Sequence, residues 1–222
     1  GKVKDVIKNE ELKYYLLIVF VSIALIVMNI ASKYQSIWQC IRDVLFTVSS
    51  IITTTGYSTA DFGKWPLFSQ VILLLIMFFG ACAGSTAGGL KISRVIMMVK
   101  MYVAEIRQMI SPNRVITVKY EDKPLSAKMQ KNVAVYFVVY MILFITMLLI
   151  VSFSLGDFMT AFSAVAATFN NIGPGLGKVG PAYSFADLSN VSKVVLSFGM
   201  LAGRLEIFPM LILFAPATWK LK

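Results

Sequence analysis

The sequence predicts an all-α polytopic membrane protein that contains one structural unit twice, and three observations support this fold class. Of the 222 residues, 58% are hydrophobic and 14% are charged, a composition that does not suit a soluble globular domain. Four apolar runs approach the length that a helix needs to cross about 30 Å of hydrocarbon. Two shorter segments, each ending in polar residues and a glycine, lie between the first and second runs and between the third and fourth.

The four apolar runs define the predicted transmembrane helices. They comprise residues 14–31, 66–79, 133–154 and 194–215. The second run is short, because a glycine-rich stretch follows it directly. An even number of crossings returns the chain to the side on which it started.

Basic residues are concentrated at three places along the chain. Of the 21 lysines and arginines, four lie in residues 2–13, nine in residues 91–131 and two at the C-terminus. The positive-inside rule therefore predicts that both termini of this segment and the 91–131 connection are cytoplasmic. Topology thus accounts for the net charge of +10, and we expect no nucleic-acid partner. Such basic segments can also contact the anionic lipid of the bilayer or a cytosolic partner.

The residue types that enzymes and metal sites need are scarce. Two cysteines, Cys40 and Cys82, and the absence of histidine argue against a disulfide framework and a transition-metal site. The apolar runs hold almost no acidic residues, so we do not expect an enzyme. The sequence begins with Gly1 and shows no recognisable secretory signal, and we interpret it as an excerpt of a longer chain or a processed product.

The two shorter segments have the same design. Aligning Gly56 with Gly173 places "VLFTVSSIITTTGYS" over "AFSAVAATFNNIGPG". Each block reads as a short apolar helix followed by polar residues, a glycine and an extended exit. Such half-spanning helices are re-entrant segments, and their non-helical return is tolerated at membrane depth only where it is buried or lines water. Ordinary extracellular turns are the alternative.

The polar residues around each glycine suit a cation filter. A dehydrated alkali cation needs several oxygens at a fixed radius, which backbone carbonyls supply, and glycine permits the φ values that aim them. We therefore predict alkali-cation binding at two filter strands and at no other metal site. The carbonyl-bearing residues are Thr54, Thr55, Gly56 and Tyr57 in the first strand, where threonine hydroxyls add oxygen, and Asn171, Ile172, Gly173 and Pro174 in the second.

Residues 80–89, "GACAGSTAGG", predict a break in the second transmembrane helix. Each glycine costs about 1 kcal/mol relative to alanine in a helix, and this stretch has four. A tight helix-packing face through Gly80 and Gly84 is the alternative. A phosphate-binding loop is excluded by its motif, because Leu90 rather than lysine follows Gly89.

Arg204 lies inside the last apolar run, where an arginine marks function by default. The alternative is that its side chain extends to the cytoplasmic interface.

Four motifs resemble the Trk/Ktr/HKT superfamily of potassium-uptake proteins, and specifically a bacterial or archaeal Trk-type membrane subunit. They are "TTTGYSTADF", "FFGACAGSTAGGLKISR", "NNIGPGLG" and "AGRLEIFP". The resemblance implies outer helix–pore helix–filter strand–inner helix units repeated around a pseudo-fourfold ion pore, of which this chain holds the third and fourth. The third-type repeat would occupy residues 1–110, with a pore helix near 36–50, a filter at 53–58 and a broken inner helix at 66–110. A cytoplasmic connection would follow at 111–132, and the fourth-type repeat at 133–222 would have a pore helix near 157–169, a filter at 170–175 and an inner helix near 192–215.

The resemblance implies potassium uptake through a filter gated by an intramembrane loop at 80–89, here called the glycine-rich loop. The gate residues would be Gly80, Gly84, Ser85, Thr86, Gly88, Gly89, Lys91 and Arg204. Pro174 stands where a potassium-channel filter has tyrosine, so a less selective K⁺/Na⁺ channel or a cation symporter of the same superfamily is the alternative. A non-conducting scaffold subunit is a more distant one.

The resemblance also implies partners and a location. The chain would act with two further pore repeats, form a homodimer in a prokaryotic plasma (inner) membrane, and dock on a cytosolic nucleotide-binding regulatory ring. No cofactor would bind tightly to this chain, and nucleotide would bind the ring. A Met-rich helical surface, which adapts to a partner, is predicted at Met97, Met98, Met101 and Tyr102.

Overall fold

The computed structural model describes residues 9–85, 87–114, 116–205, 207–214 and 218–219. The predicted gate residue Thr86, the basic residues before position 9 and the end of the predicted inner helix at position 215 lie outside these ranges. Within them, two helical segments, Glu10–Lys33 and Ala127–Ser152, are long and apolar enough to cross a membrane, and a bent helix pair near the C-terminus makes up to three.

The first repeat begins with an outer helix, α1 (Glu10–Ile30), which extends into a 3₁₀ turn at Ala31–Lys33. The half-length helix α2 (Ile37–Ile52) follows, and a second 3₁₀ turn at Phe62–Lys64 leads to α3 (Leu67–Met77). With about 1.5 Å of rise per residue, α2 and α3 are too short to span a bilayer singly.

The inner helix of the first repeat is broken, and the chain leaves and resumes it at one place. Two short parallel strands, β1 (Phe79–Gly80) and β2 (Leu90–Lys91), pair with Phe79 opposite Leu90. The Leu90 amide also donates to the Phe78 carbonyl at 3.2 Å. Helix α4 (Ile92–Ile110) begins directly after β2. Gly80 and Gly84 therefore do not form a helix-packing face, and that alternative is wrong.

The connection between the repeats folds back on α4. Its antiparallel strands β3 (Lys119–Tyr120) and β4 (Lys123–Pro124) form a hairpin. Met97 and Met98 are buried with Val133, in contact with the partly buried Tyr120 and other apolar residues. The predicted Met-rich partner surface is therefore partly wrong, because two of its methionines pack inside the chain, while Tyr102 remains exposed.

The second repeat follows the same order. The outer helix α5 (Ala127–Ser152) leads to the half-length helix α6 (Phe158–Phe169) and, after 3₁₀ turns at Gly177–Val179 and Phe185–Asp187, to α7 (Asn190–Arg204) and α8 (Ile207–Phe214). The axes of α7 and α8 are inclined by 117°. The single inner helix predicted near 192–215 is therefore wrong, because α7 ends at Arg204 and α8 follows along a different axis.

The core lies around the two half-length helices. Helix α6 is buried along nearly its whole length, and α2 buries the face that carries Val44, Val48 and Ile51. The outer faces of α1 and α5 expose apolar side chains such as Phe20 and Leu149, each 66% accessible. Exposed apolar side chains on the outer helices agree with surrounding lipid, and α2 and α6 end inside the molecule.

Candidate ion pathway

The chain turns in the same way at the C-terminal ends of α2 and α6. The Thr55 amide donates to the Ser50 carbonyl at 2.9 Å, and the Ile172 amide donates to the Ala167 carbonyl at 2.8 Å. One residue earlier, the Thr54 and Asn171 amides each donate at 3.0 Å to a carbonyl of the preceding helical turn. The chain thus leaves both helices through equivalent hydrogen bonds. We call residues 53–58, in the first repeat of this chain, the third-repeat filter, and residues 170–175, in the second repeat, the fourth-repeat filter, after the predicted numbering.

The backbone dihedrals repeat as well. Thr54 and Asn171 have φ values of 56° and 57°, and the glycines two positions later, Gly56 and Gly173, have φ values of 79° and 115°. A positive φ is ordinary for glycine and tolerated by asparagine, but it is an outlier for β-branched threonine. The sequence indicated the two glycines, whereas the left-handed conformation of Thr54 and Asn171 was not predicted.

The two filters contact each other. A Cβ atom added to Gly56 would clash with the Ile172 carbonyl oxygen and would lie 3.2 Å from Pro174 Cδ. A Cβ atom added to Gly173 would meet nothing within 4 Å. Gly56 is therefore required for both its close approach and its dihedral, while Gly173 is constrained by its dihedral alone.

Helix dipoles and serine side chains set the polarity of this region. Both half-length helices direct their C-terminal carbonyl ends at a filter, which favours a cation there. Ser50 Oγ donates to the Tyr57 carbonyl at 2.6 Å, so this predicted filter carbonyl is directed at α2. Ser163 Oγ similarly contacts Leu176, accepting from its amide at 2.8 Å. The Thr55 hydroxyl lies 2.8 Å from the Thr53 hydroxyl.

The glycine-rich loop packs against the base of the fourth-repeat filter. Cβ atoms added to Gly88 and Gly89 would lie 2.5 Å from the Asn170 carbonyl oxygen and 2.7 Å from Asn170 Oδ1, respectively. Asn170 is completely buried, and its Oδ1 accepts from the Tyr140 hydroxyl at 2.8 Å. Glycine is thus needed where the loop contacts the residue that begins this filter.

Lys91 and the close packing at Gly80 hold the rest of the loop. Lys91 Nζ donates to the carbonyls of Ser85 and Ala87 at 2.8 and 2.6 Å. Gly80 is enclosed by the returning chain, since an added Cβ would clash with the Gly88 carbonyl. Gly84 differs, because an added Cβ would meet nothing within 4 Å.

Sequence reasoning missed Glu11. This carboxylate lies in the first turn of α1 and is 8% exposed. Its Oε1 accepts from the Ala83 amide of the loop at 2.7 Å and from the Ser93 amide of α4 at 3.2 Å. The available signal was a pair of adjacent acidic residues, Glu10 and Glu11, just before the first apolar run.

Arg204 lies at the exposed C-terminal end of α7, beside a close contact with the fourth-repeat filter. A Cβ atom added to Gly203 would clash with the Phe169 carbonyl and lie 3.0 Å from Asn171 Nδ2. Asn171 Nδ2 also donates to the Met200 carbonyl at 3.1 Å. The last turn of α7 therefore supports this filter directly. In the described ranges, no three His, Cys, Asp or Glu residues cluster as a metal site.

The sequence profile of the TrkH family, described as cation transport protein, matches residues 13–221. The Trk system potassium uptake protein TrkH of Escherichia coli (strain K12) is 39% identical over 201 residues, covering 90% of this chain and 41% of that protein. The Trk system potassium uptake protein TrkG of the same organism is 33% identical over 220 residues, covering 98% and 45%.

A solved structure has the same fold. The crystal structure of the potassium transporter TrkH from Vibrio parahaemolyticus superposes with a TM-score of 0.87 at 37% identity, covering 96% of this chain and 46% of that one. The present chain thus spans less than half the length of these relatives. With a profile match over nearly all of its residues and this agreement in fold, the chain belongs to the TrkH family of cation transport proteins.

Proposed function

We propose that this chain forms half of a membrane protein that takes up potassium through a carbonyl-lined filter. The observation that supports the proposal is the repeated turn after α2 and α6, with a residue of positive φ followed two positions later by glycine. The relatives named above are potassium uptake proteins. Two further pore repeats, in the part of the relatives that this chain does not cover, would complete the filter.

The filter would replace the water around a potassium ion with carbonyl oxygens. Thr54, Thr55 and Gly56 would contribute from one strand, and Asn171, Ile172 and Gly173 from the other. Tyr57 is a weaker candidate, because its carbonyl accepts from Ser50. The C-terminal ends of α2 and α6 would lower the energy of the cation without binding it as tightly as a full negative charge.

The glycine-rich loop would be the gate. Its close approach to Asn170, the residue that begins the proposed fourth-repeat filter, supports this role. Arg204 would add positive charge below the filter and impede cations. A loop held by a few hydrogen bonds opens at lower cost than a continuous helix.

The experiment uses the full-length protein in proteoliposomes with an imposed potassium gradient. Gly56→Val should abolish potassium flux while the protein still inserts, because the substitution blocks the contact with Ile172 and strains the backbone. Gly156→Val is the matched control, since a Cβ atom there meets nothing within 4 Å and its flux should equal that of the wild type. Wild-type flux in Gly56→Val would refute the filter assignment.

A less selective K⁺/Na⁺ channel or cation symporter is the second candidate. The two filters are unequal, with Tyr57 exposed in one and Pro174 in the corresponding place of the other. Unequal strands give unequal ligand positions, which weakens discrimination by size. Repeating the flux measurement with sodium, and with an added proton gradient, distinguishes these candidates from a potassium-selective pathway.

The proposed partners are a second copy of the protein and a cytosolic nucleotide-binding ring. The second half of α4 exposes apolar side chains, including Tyr102, Ile106 and Met109 at 58%, 57% and 71%. A ring that binds the open and closed loop unequally would change flux when nucleotide changes the ring. Flux that does not respond to the added ring and nucleotide would contradict this regulation.

A further inference from the structure

We propose that Glu11 is a positioning residue that holds the glycine-rich loop in its packed conformation by attaching the loop and α4 to the outer helix α1. The positioning role of Glu11 concerns the geometry of the loop alone. Its consequence for ion flux rests on the gating role proposed above.

The hydrogen bonds of Glu11 join three elements at one atom. Oε1 of this α1 residue accepts from the Ala83 amide, in the first half of the loop, and from the Ser93 amide, in the first turn of α4. The first amides of a helix have no partner within that helix, and its N-terminus favours negative charge. A buried carboxylate with two amide donors is therefore a stable arrangement that breaks if the loop moves away.

Lys91 and Glu11 hold the loop in different ways. Lys91 Nζ donates to carbonyls of Ser85 and Ala87, but Lys91 directly precedes α4 and follows any movement of that helix. Glu11 belongs to α1, a separate helix that is long and apolar enough to cross the membrane by itself. The Glu11 contacts therefore set the position of the loop relative to the outer helix.

The neighbouring acid, Glu10, has a different role and provides a control. Glu10 Oε2 accepts from Lys100 Nζ at 2.5 Å, and Lys100 also donates to the Lys119 carbonyl of the hairpin at 3.0 Å. Glu10 thus joins α1 to the middle of α4 and to the hairpin. Removing it deletes one negative charge from the same helical turn while the two Glu11 contacts remain.

Cys82 can report the position of the loop, because it precedes Ala83 and is partly buried. The measurement is the rate of modification by N-ethylmaleimide in the full-length protein in liposomes, with Cys40 and any cysteine outside these 222 residues replaced. Glu11→Ala and Glu11→Gln remove the same charge, so its effect on the thiol is equal in both. Only Glu11→Gln retains an oxygen that can accept from Ala83 and Ser93.

We expect Cys82 to be modified about tenfold faster in Glu11→Ala than in Glu11→Gln, since Glu11→Gln keeps a neutral acceptor for the Ala83 and Ser93 amides and Glu11→Ala leaves both without this partner. Glu10→Ala should remain within about twofold of the wild type. Equal rates in Glu11→Ala and Glu11→Gln would overturn the proposal.

If the Glu11→Ala variant does not insert into the membrane, Glu11→Asp is measured instead. The aspartate side chain keeps the negative charge but is too short to reach the Ala83 and Ser93 amides. Modification of Cys82 should then be faster than in the wild type, and an unchanged rate would overturn the proposal.

Potassium flux measured on the same vesicles separates the two proposals. Faster modification with raised flux supports both the positioning role and the gate. Faster modification with unchanged flux supports the positioning role of Glu11 and refutes the gate.

Discussion

The two repeats agree at their filters and differ in their inner helices. Both filters leave a half-length helix through the same hydrogen bonds, and Thr54 and Asn171 have nearly identical φ values. The inner helix of the first repeat stops at Met77, whereas that of the second continues to Arg204 before it bends. The comparison teaches that the turn after the half-length helix is the same in both repeats of this chain, whereas a loop interrupts only the first of the two inner helices before its midpoint in the described residues.

The difference between the inner helices follows from where their glycines lie. Four glycines within residues 80–89 weaken the helix at one place. Gly199 and Gly203 are four residues apart, so they share one helical face. That face contacts Met147 and the Phe169 carbonyl. Clustered glycines produce a loop, and spaced glycines produce close packing.

The largest expected effect tests the inequality of the two filters. Gly56→Ala introduces both a clash with the Ile172 carbonyl and an unfavourable φ, whereas Gly173→Ala introduces the second alone. The dihedral costs about 1–2 kcal/mol. We expect Gly56→Ala to reduce potassium flux at least about tenfold more than Gly173→Ala does, since tenfold corresponds to about 1.4 kcal/mol. Equal losses in proteoliposomes would show that the filters are equivalent.

The next effect tests the inner-helix break. Deleting residues 82–85 shortens the loop but keeps the β1–β2 pairing, so the protein should still insert. If the loop of the wild-type protein is open about 10% of the time, basal potassium flux should rise on the order of tenfold in the deletion variant. Arg204→Ala, at the bend of the second inner helix, should raise it less. Unchanged flux in the deletion variant would locate the gate elsewhere.

A smaller effect concerns the residues of positive φ. Thr54→Asn gives the third-repeat filter the residue type that the fourth-repeat filter has at the equivalent position, Asn171. Asparagine tolerates the left-handed conformation better than threonine. We expect the free energy of unfolding to rise by up to about 1 kcal/mol. The reciprocal Asn171→Thr should lower it, because it also loses the hydrogen bond to Met200. Thermal unfolding of the purified protein in detergent measures both changes.

The smallest effect concerns the N-termini of the two half-length helices. The Asp157 side chain caps α6 by accepting from the Met159 and Thr160 amides, whereas Ser36 makes no such bond at α2. Asp157→Ala should cost about 1 kcal/mol of stability and Ser36→Ala much less. A destabilisation from Ser36→Ala as large as that from Asp157→Ala would contradict the difference in capping.

This cap also predicts a pH dependence. Hydrogen bonds from Thr160 lower the pKa of the Asp157 carboxyl below its ordinary value. Because the folded-state pKa is depressed, the stabilisation is complete above the unfolded-state pKa of about 3.9. It declines as the pH falls through the folded-state pKa. The difference in melting temperature between wild type and Asp157→Ala should therefore shrink in acid.

The elements with a strong local signal were predictable from the sequence. Gly56 and Gly173 were indicated by aligning two similar blocks, and the break at 80–89 by the helix propensity of glycine. Thr54 gave no signal, because its left-handed conformation is imposed by the surrounding hydrogen bonds. Glu11 could not be assigned, since its partners lie 72 and 82 positions away and only folding brings them together.

The pairing of Phe79 with Leu90 has a practical consequence. Because the chain departs and returns at adjacent positions, the length of the segment between them is not fixed by the helices that it joins. Gly84, which faces open space, is therefore a suitable site for grafting a short peptide tag or attaching a fluorophore. A sensor built there would report the surroundings of the loop while the rest of the scaffold stays intact.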